Sequence, residues 1–239
     1  MILDIDVGNT LLKWRTVEAG VVQDRGRCPT RELTTAMPAE WPAQIERVRI
    51  SNVAGPVVAG LLLAYCEARW SCQPEFAVTR HQAAGVTNSY SDPSRMGVDR
   101  WLAMLAAFND CNRACCIVDC GSAITVDYVE QDGQHRGGFI IPGLRLMSES
   151  LQRNTAEVLV DRTIDRFETA PGRHTSAAVT HGINFAFQAL QEKLTRELED
   201  DALDALYITG GDGVLFHQLA GVGQLHPDLV MEGLCWSLG

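Results

Sequence analysis

Short apolar runs alternate with polar turns along the chain, and later segments carry apolar residues every three or four positions. The pattern predicts strands, then helices, and then the same succession again. The predicted strands are Ile2–Asp6, Leu11–Glu18, Val21–Cys28, Val48–Val53, Glu75–Thr79, Ala114–Asp119, Ile124–Val129, His135–Ile141 and Ala205–Thr209. The predicted helical segments are Pro42–Arg47, Gly55–Trp70, Val98–Asn109, Pro142 to about Leu159, Ser176–Leu198 and a short helix after the last strand.

Two of the apolar strands end in the same kind of loop. One runs into Asp6-Val7-Gly8-Asn9-Thr10, and the other runs into Asp119-Cys120-Gly121-Ser122-Ala123. Each loop is followed by two more strands and then by helices, which indicates an internal duplication. We therefore expect an α/β protein of two similar lobes with a central cleft, residues 1–112 forming the first lobe and 113–239 the second.

Composition is that of an ordinary globular protein. The 239 residues are 46% hydrophobic and 21% charged, with a formal net charge of −10. The basic residues are scattered among more numerous acidic ones, which excludes a dedicated nucleic-acid-binding surface. An acidic protein can still bind anions locally, through backbone N–H groups, a few cations and a metal ion.

We expect no membrane segment and a cytoplasmic location. Asp4 and Asp6 interrupt the N-terminal apolar stretch too early for a signal peptide. Among charge-poor windows, Ile50–Cys66 is too short and His174–Gln191 too polar to span a bilayer. The eight cysteines include no Cys-x-x-Cys pair, so buried thiols are expected rather than a zinc site or a disulfide framework.

The two Asp-x-Gly loops are the first candidates for chemistry. A carboxylate at a strand end lies where α/β proteins place ligands, and Gly8 allows the backbone to approach a phosphate closely. A plain hairpin turn is the alternative for the first loop taken alone. Because the loop recurs at Asp119, we expect the two loops to clamp one polyphosphate. The two carboxylates can then hold a cation such as Mg²⁺.

Two further segments carry polar groups at element ends. Thr209-Gly210-Gly211-Asp212-Gly213 suits contact with the adenosine end of a nucleotide, or it is simply a helix-initiating turn. Gly97-Val98-Asp99-Arg100 opens a helix. It can present a general base beside an arginine that binds an acidic substrate, or Asp99 is only stabilised there by the helix dipole.

These segments, in this order, carry a family resemblance. DVGNT, SYSDPSRMGVDRW, DCGSAITVD, GGFIIPG and TGGDG, with a closing LHPDLVMEGL, resemble type III pantothenate kinase over the whole chain. The resemblance implies two duplicated lobes of actin-like, ribonuclease H-like topology. It also implies ATP-dependent phosphorylation of pantothenate to 4′-phosphopantothenate, the first step of coenzyme A biosynthesis. It further implies a homodimer that uses Mg²⁺ and a monovalent cation, K⁺ or NH₄⁺.

The resemblance also assigns roles to individual residues. Asp99 is the expected catalytic base, Asp6 lies near Mg²⁺ directly or through water, and Asp119 matches the monovalent-cation position. The residues expected to bind ATP are Asp6, Val7, Gly8, Asn9, Thr10, Leu11, Leu12, Lys13, Ser122, Gly210 and Gly211. The residues expected to bind pantothenate are Tyr90, Gly97, Val98, Asp99, Arg100 and Thr175.

The chain departs from the family at two places. Ser122 stands where threonine is usual, which keeps the hydroxyl, and Leu11-Leu12-Lys13 replaces small polar residues. Two other functions stay open: a non-catalytic accessory or regulatory protein on the same fold, and a kinase of another small hydroxyl substrate. The histidines show no metal-ligand spacing, so surface or capping roles are expected for His81, His135, His174, His181, His217 and His226.

Overall fold

The computed structural model describes residues 1–154, 166–200 and 203–239. In chain order the strands are β1 Ile2–Val7, β2 Leu11–Glu18, β3 Val21–Pro29, β4 Arg47–Asn52, β5 Glu75–Phe76, β6 Gln82–Ala83, β7 Val86–Thr87, β8 Cys115–Cys120, β9 Ala123–Val129, β10 His135–Pro142, β11 Ala205–Thr209 and β12 Gln224–Leu225. The α-helices are α1 Pro56–Trp70, α2 Val98–Cys111, α3 Leu144–Asn154, α4 Thr175–Glu199, α5 Gly213–Ala220 and α6 Leu229–Leu238.

The chain forms two compact units. The first comprises Met1–Asn112, Val129–Arg136 and Asp228–Gly239, and the second comprises Arg113–Tyr128 and Gly137–Pro227. The first unit therefore takes in two segments that the sequence pattern assigned to the second lobe.

The two units contain sheets of the same design. The first sheet has the order β3-β2-β1-β4-β5 and the second has the order β10-β9-β8-β11-β12. In each sheet the fourth strand runs parallel to the first strand of its unit, β4 beside β1 and β11 beside β8. The predicted α/β fold with an internal duplication is confirmed.

Most predicted elements lie within two or three residues of the observed ones. The helix predicted at Pro42–Arg47 is wrong, because residues 42–46 have no regular structure and Arg47 begins β4. A 3₁₀ helix lies earlier, at Thr30–Thr34. A six-residue stretch cannot offset the cost of helix nucleation without a packed face. β5 ends three residues before the predicted Thr79. The predicted continuation of α3 to Leu159 lies outside the described residues.

Side chains alternate along β1 between an apolar face and an acidic face. Leu3, Ile5 and Val7 belong to a buried cluster that includes side chains of α1. Asp4 and Asp6 occupy the intervening positions, so their side chains leave the opposite face of the strand. α6 packs near β1 and β4 in the same unit, and α2 packs near β4.

Asp4 is a fully buried carboxylate with two arginine partners. Its side chain has no exposed surface, and it accepts hydrogen bonds from Arg15 Nε at 3.0 Å and from Arg49 Nε at 2.8 Å. A second bond from Arg49 Nη2, at 3.1 Å, makes that pair bidentate. Two guanidinium groups in such geometry compensate the desolvation of the buried charge.

The C-terminal helix α6 is tied into the first unit by charge and by close packing. Arg15 also lies 3.9 Å from a carboxylate oxygen of Asp228, which precedes α6, and Arg25 Nε bonds Asp228 at 2.7 Å. A side-chain carbon at Gly233 would collide with the backbone of Leu102 on α2. α6 therefore lies directly against the helix that carries Asp99.

The core of the second unit lies between its sheet and helices α4 and α5. Cys116, Val118 and Ile208 from the parallel strands pack with Phe187 of α4 and Phe216 of α5. All eight cysteines of the chain are free thiols, and Cys115, Cys116 and Cys120 are buried. Across the described ranges, we find no helix with both the length and the apolar character needed to cross a bilayer.

Candidate active site

Asp6 lies near the end of the central strand of the first unit. Its neighbours across the sheet are Lys13 on β2 and Ser51 on β4. Asp6 Oδ1 and Ser51 Oγ are both buried, and neither makes a hydrogen bond of normal geometry to any residue that the structure describes. A buried carboxylate oxygen without a donor is costly unless a ligand, a cation or water satisfies it.

The surroundings of Asp6 disfavour its charge. Burial and, to a smaller extent, the negative charge of Asp99 raise the pKa of Asp6 from 3.8 to about 6. Lys13 and the nearby Ser51 hydroxyl act in the opposite direction. A cation placed between two such carboxylates would relieve both the desolvation and the repulsion.

The loop after Asp6 is closed by short hydrogen bonds. Gly8 N donates to Leu11 O at 3.0 Å, and the hydroxyl of Thr30 donates to Gly8 O at 2.7 Å. Asn9 and Thr10 lie exposed at the tip. The side chains of Val7 and Leu12 belong to the core, so these two expected ATP contacts are left with their main-chain groups.

Asp99 lies in the first turn of α2. Its Oδ1 accepts a hydrogen bond from the amide of Arg100 at 2.8 Å. A side-chain carbon at Gly97 would lie only 2.5 Å from the same oxygen, so glycine leaves room for this placement of the carboxylate. The helix N-terminus favours a negative charge there.

Arg100 and Tyr90, which are both expected to bind pantothenate, are in contact. Arg100 Nη1 donates to the Tyr90 hydroxyl at 3.1 Å, and the Arg100 side chain is largely buried. Asn88 Oδ1 accepts a hydrogen bond from the Tyr90 amide at 2.9 Å. The first unit thus places an acidic group, a guanidinium and a phenol on or beside one helix N-terminus.

In the second unit, Asp119 occupies the place that Asp6 has in the first. Asp119 pairs in register with Thr209, as Asp6 pairs with Ser51. A side-chain carbon at Gly210 would lie 2.5 Å from Asp119 Oδ1, and one at Gly121 would lie 3.3 Å from it. Two glycines, Gly121 and Gly210, therefore lie against this carboxylate.

The loop that contains Ser122 is held by its neighbours. Gly143 N donates to Ser122 O at 3.1 Å, and any side chain at Gly143 would strike the carbonyls of Gly121 and Ser122. On the other side Asp212 N donates to Cys120 O at 2.8 Å. Ser122 itself is exposed, and so is Gly211.

Burial changes the titration of two groups in these loops. It raises the pKa of the Cys120 thiol, with Asp119 and Asp212 adding to the effect, and it raises the pKa of Asp212. Cys120 therefore stays a neutral thiol beside the loop, and no thiolate nucleophile is present at this position.

Thr175 opens α4 and is exposed. It belongs to the second unit, whereas Tyr90 and Arg100 belong to the first. His174 caps the same helix by accepting a hydrogen bond from the amide of Ala177 at 3.3 Å, as expected for a capping histidine.

Several residues that support the candidate site were not predicted from the sequence. Ser51 and Thr30 lie in no motif, and Gly143 ends the GGFIIPG motif without an assigned role. Only the contacts of these residues link them to the Asp6 and Ser122 loops. His135 is 3% exposed, so the expectation of a surface or capping role is wrong for that histidine. No signal in the sequence distinguishes it from the other five.

The donor set fits Mg²⁺ at Asp6. No cluster of three or more metal-ligating side chains occurs among residues 1–154, 166–200 and 203–239. A site with one or two carboxylates, completed by water and substrate phosphates, is the kind that Mg²⁺ prefers. The partnerless Asp6 Oδ1 supplies the acceptor that such a site needs.

Solved structures share the fold. A protein from Campylobacter jejuni described as a Baf family transcriptional activator is 19% identical, with a TM-score of 0.61 and coverage of 98% of this chain and 95% of its own. A 2-dehydro-3-deoxygalactonokinase from Sinorhizobium meliloti is 12% identical, with a TM-score of 0.59 and coverage of 98% and 97%. These likenesses concern the fold alone.

Sequence relatives are more specific. Type III pantothenate kinases from Chromohalobacter salexigens and Marinobacter nauticus are 41% and 36% identical, each over 98% of this chain and over 86% and 96% of their own lengths. The one from Pseudomonas putida is 34% identical over 99% of this chain and 98% of its own. The family model described as type III pantothenate kinase matches residues 2–197. The chain therefore belongs to the type III pantothenate kinase family.

Proposed function

We propose that the chain transfers the γ-phosphate of ATP to the primary hydroxyl of pantothenate. The product is 4′-phosphopantothenate, and the reaction is the first step of coenzyme A biosynthesis. The observation that carries the proposal is the buried, partnerless Oδ1 of Asp6, whose pKa the charge of Asp99 helps to raise. Family membership supports the choice of substrate, and phosphoryl transfer needs positioning and charge stabilisation of this kind.

Asp99 is the group to which we assign proton transfer. Its carboxylate accepts the proton of the pantothenate hydroxyl while the oxygen attacks the γ-phosphate in line. Arg100 is the next residue along the helix. Its guanidinium has the geometry to pair with the carboxylate of an acidic substrate. The residues assigned to pantothenate are Tyr90, Gly97, Val98, Asp99, Arg100 and Thr175.

ATP is assigned to the glycine-rich loops. The residues are Asp6, Val7, Gly8, Asn9, Thr10, Leu11, Leu12, Lys13, Ser122, Gly210 and Gly211. Asp6 would hold Mg²⁺ directly or through water, and bound Mg²⁺ neutralises charge on the phosphates. Asp119 is assigned to a monovalent cation, K⁺ or NH₄⁺. The glycines around its carboxylate support that assignment.

A cytoplasmic location is part of the same proposal. The reaction consumes ATP, and eight free thiols suit a reducing compartment.

Replacing Asp99 should nearly abolish turnover and leave the protein folded. We expect Asp99→Asn to lower kcat by about 10²- to 10⁴-fold, because the amide cannot accept the hydroxyl proton. Asp110→Asn, the same change at an exposed position of α2, should retain turnover. Both variants should unfold at the wild-type urea midpoint within error. Near-normal turnover of Asp99→Asn would remove Asp99 from the role of base.

Removing the charge of Asp6 should stabilise the protein while it abolishes activity. The folded state binds the Asp6 proton more tightly than the unfolded chain, since the pKa rises from 3.8 to about 6. The contribution of Asp6 to stability therefore falls as the pH rises through that window. Asp6→Asn should raise the free energy of unfolding by up to about 3 kcal/mol at pH 7.5, and by little below pH 4.

Urea denaturation in EDTA, without nucleotide, at pH 3.8 and pH 7.5 measures this difference. Asp24→Asn, an exposed aspartate on β3, serves as the control and should change neither value. An Asp6→Asn variant less stable than wild type at pH 7.5 would contradict the unsatisfied burial of the Asp6 carboxylate.

The proposed reaction is tested by coupled ADP release with Mg-ATP and pantothenate. We expect pantothenate-dependent turnover that requires K⁺ or NH₄⁺ and is weak with Na⁺ alone. Turnover that ignores the monovalent cation would keep the kinase and remove that role from Asp119. No turnover with any cation, from folded protein that still binds ATP, would favour a non-catalytic regulatory protein. Turnover with another alcohol alone would change the substrate.

The same proposal includes a homodimer. Several large apolar side chains of the second unit are exposed, among them Phe139, Ile140 and Phe185. An apolar groove of about 560 Å³, lined in part by Met147 and Ile183, runs between α3 and α4 beside them. Exposed apolar surface of this extent supports self-association of that face.

Sedimentation equilibrium tests the homodimer. We expect twice the chain mass of 26.2 kDa for wild type, and a shift toward the single-chain mass for Phe185→Glu. Val57→Glu, an equally exposed apolar position on α1 of the other unit, should leave the mass unchanged. Single-chain mass for wild type at micromolar concentration would overturn the homodimer.

A further inference from the structure

His135 stacks on Tyr90, which is assigned with Arg100 to pantothenate. Its imidazole lies 6.2 Å from the Tyr90 ring, centroid to centroid, and the two planes are 28° apart. On the Tyr90 hydroxyl, Arg100 Nη1 donates a hydrogen bond at 3.1 Å. Tyr90 thus contacts both His135 through its ring and Arg100 through its hydroxyl.

The imidazole is itself held in place. His135 Nδ1 and the Ser89 hydroxyl are 2.9 Å apart and share a hydrogen bond. His135 is 3% exposed, whereas Tyr90 is only partly buried. The His135 ring is therefore buried and hydrogen-bonded, and the more exposed Tyr90 ring stacks against it.

Backbone contacts fix the segment that carries His135. Thr87 N donates to Gly133 O at 2.9 Å, and Thr87 also bridges to Gln134. Gly133 has a left-handed φ of 82° and lies so close to the Gly85 carbonyl that no side chain would fit. This explains why His135, far from Tyr90 in sequence, is placed beside it.

We propose that His135 is a positioning residue for pantothenate, which holds the Tyr90 ring and through it the Arg100 guanidinium. The inference rests on the proposed assignment of Tyr90 and Arg100 to that substrate. When the Tyr90 ring is held in place, its hydroxyl accepts the hydrogen bond from Arg100 in a single geometry. Without the stacked imidazole the phenol can rotate, and ordering it again costs part of the binding free energy.

The stacking role predicts a split between kinetic constants. His135→Asn keeps a polar group near the Ser89 hydroxyl but removes the ring. We expect it to raise KM for pantothenate about 3- to 10-fold, with kcat within about twofold of wild type and KM for ATP unchanged. His135→Phe keeps a ring without Nδ1 and should restore most of the loss.

Two further comparisons separate positioning from a general structural effect. His226→Asn removes another histidine in ring contact with a tyrosine, 5.2 Å from Tyr207 in the second unit and tilted by 56°, and should leave KM for pantothenate unchanged. In a Tyr90→Ala background, His135→Asn should add nothing to KM, because His135 acts through Tyr90.

A spectroscopic measurement makes the test independent of turnover. The chain has four tyrosines, so ¹³C-labelled tyrosine gives few ring signals. We expect His135→Asn to move the Tyr90 signal by loss of the imidazole ring current. Absence of pantothenate-dependent turnover in wild type would overturn the proposed function. Wild-type KM in His135→Asn, an additive effect in Tyr90→Ala, or an unmoved Tyr90 signal would overturn the role of His135 alone.

Discussion

The first unit depends on how one strand buries the whole carboxylate of Asp4 and one carboxylate oxygen of Asp6, two residues further on. Asp4 and Asp6 leave the same face of β1, yet their surroundings are opposite. Asp4 is saturated by Arg15 and Arg49, whereas Asp6 keeps a buried oxygen with no hydrogen bond to any described residue. The first carboxylate is compensated within the protein. The second keeps an acceptor that a ligand can satisfy, at the cost of a pKa raised to about 6.

The compensated carboxylate also organises the helices. Arg15 reaches from Asp4 toward Asp228 at the start of α6, and α6 packs on α2 through the glycine contact at Leu102. α2 presents Asp99 and Arg100 from its first turn. The C-terminal helix thus supports the helix to which we assign substrate binding and proton transfer, which explains why the first unit includes the end of the chain.

The second unit repeats the strand design with an apolar residue at the position of Asp4. The position two residues before Asp119 holds Ile117, a buried apolar residue, where the first unit has Asp4. Gly121 and Gly210 lie against Asp119. The two units therefore share the carboxylate at the strand end and the neighbouring hydroxyl, while the surroundings of the two carboxylates differ.

The sequence by itself determined the elements and the loops that end them. Alternation and apolar runs are local properties, so β1 to β4, α1, α2 and α4 could be predicted closely, as could the repeated Asp-x-Gly loops. Where local preference was weak, at Pro42–Arg47, the prediction failed. Only the tertiary structure decided which polar groups are left without partners and which distant residues touch. The orphaned oxygen of Asp6 and the stacking of His135 on Tyr90 depend on contacts between segments far apart in the chain, which no local pattern encodes.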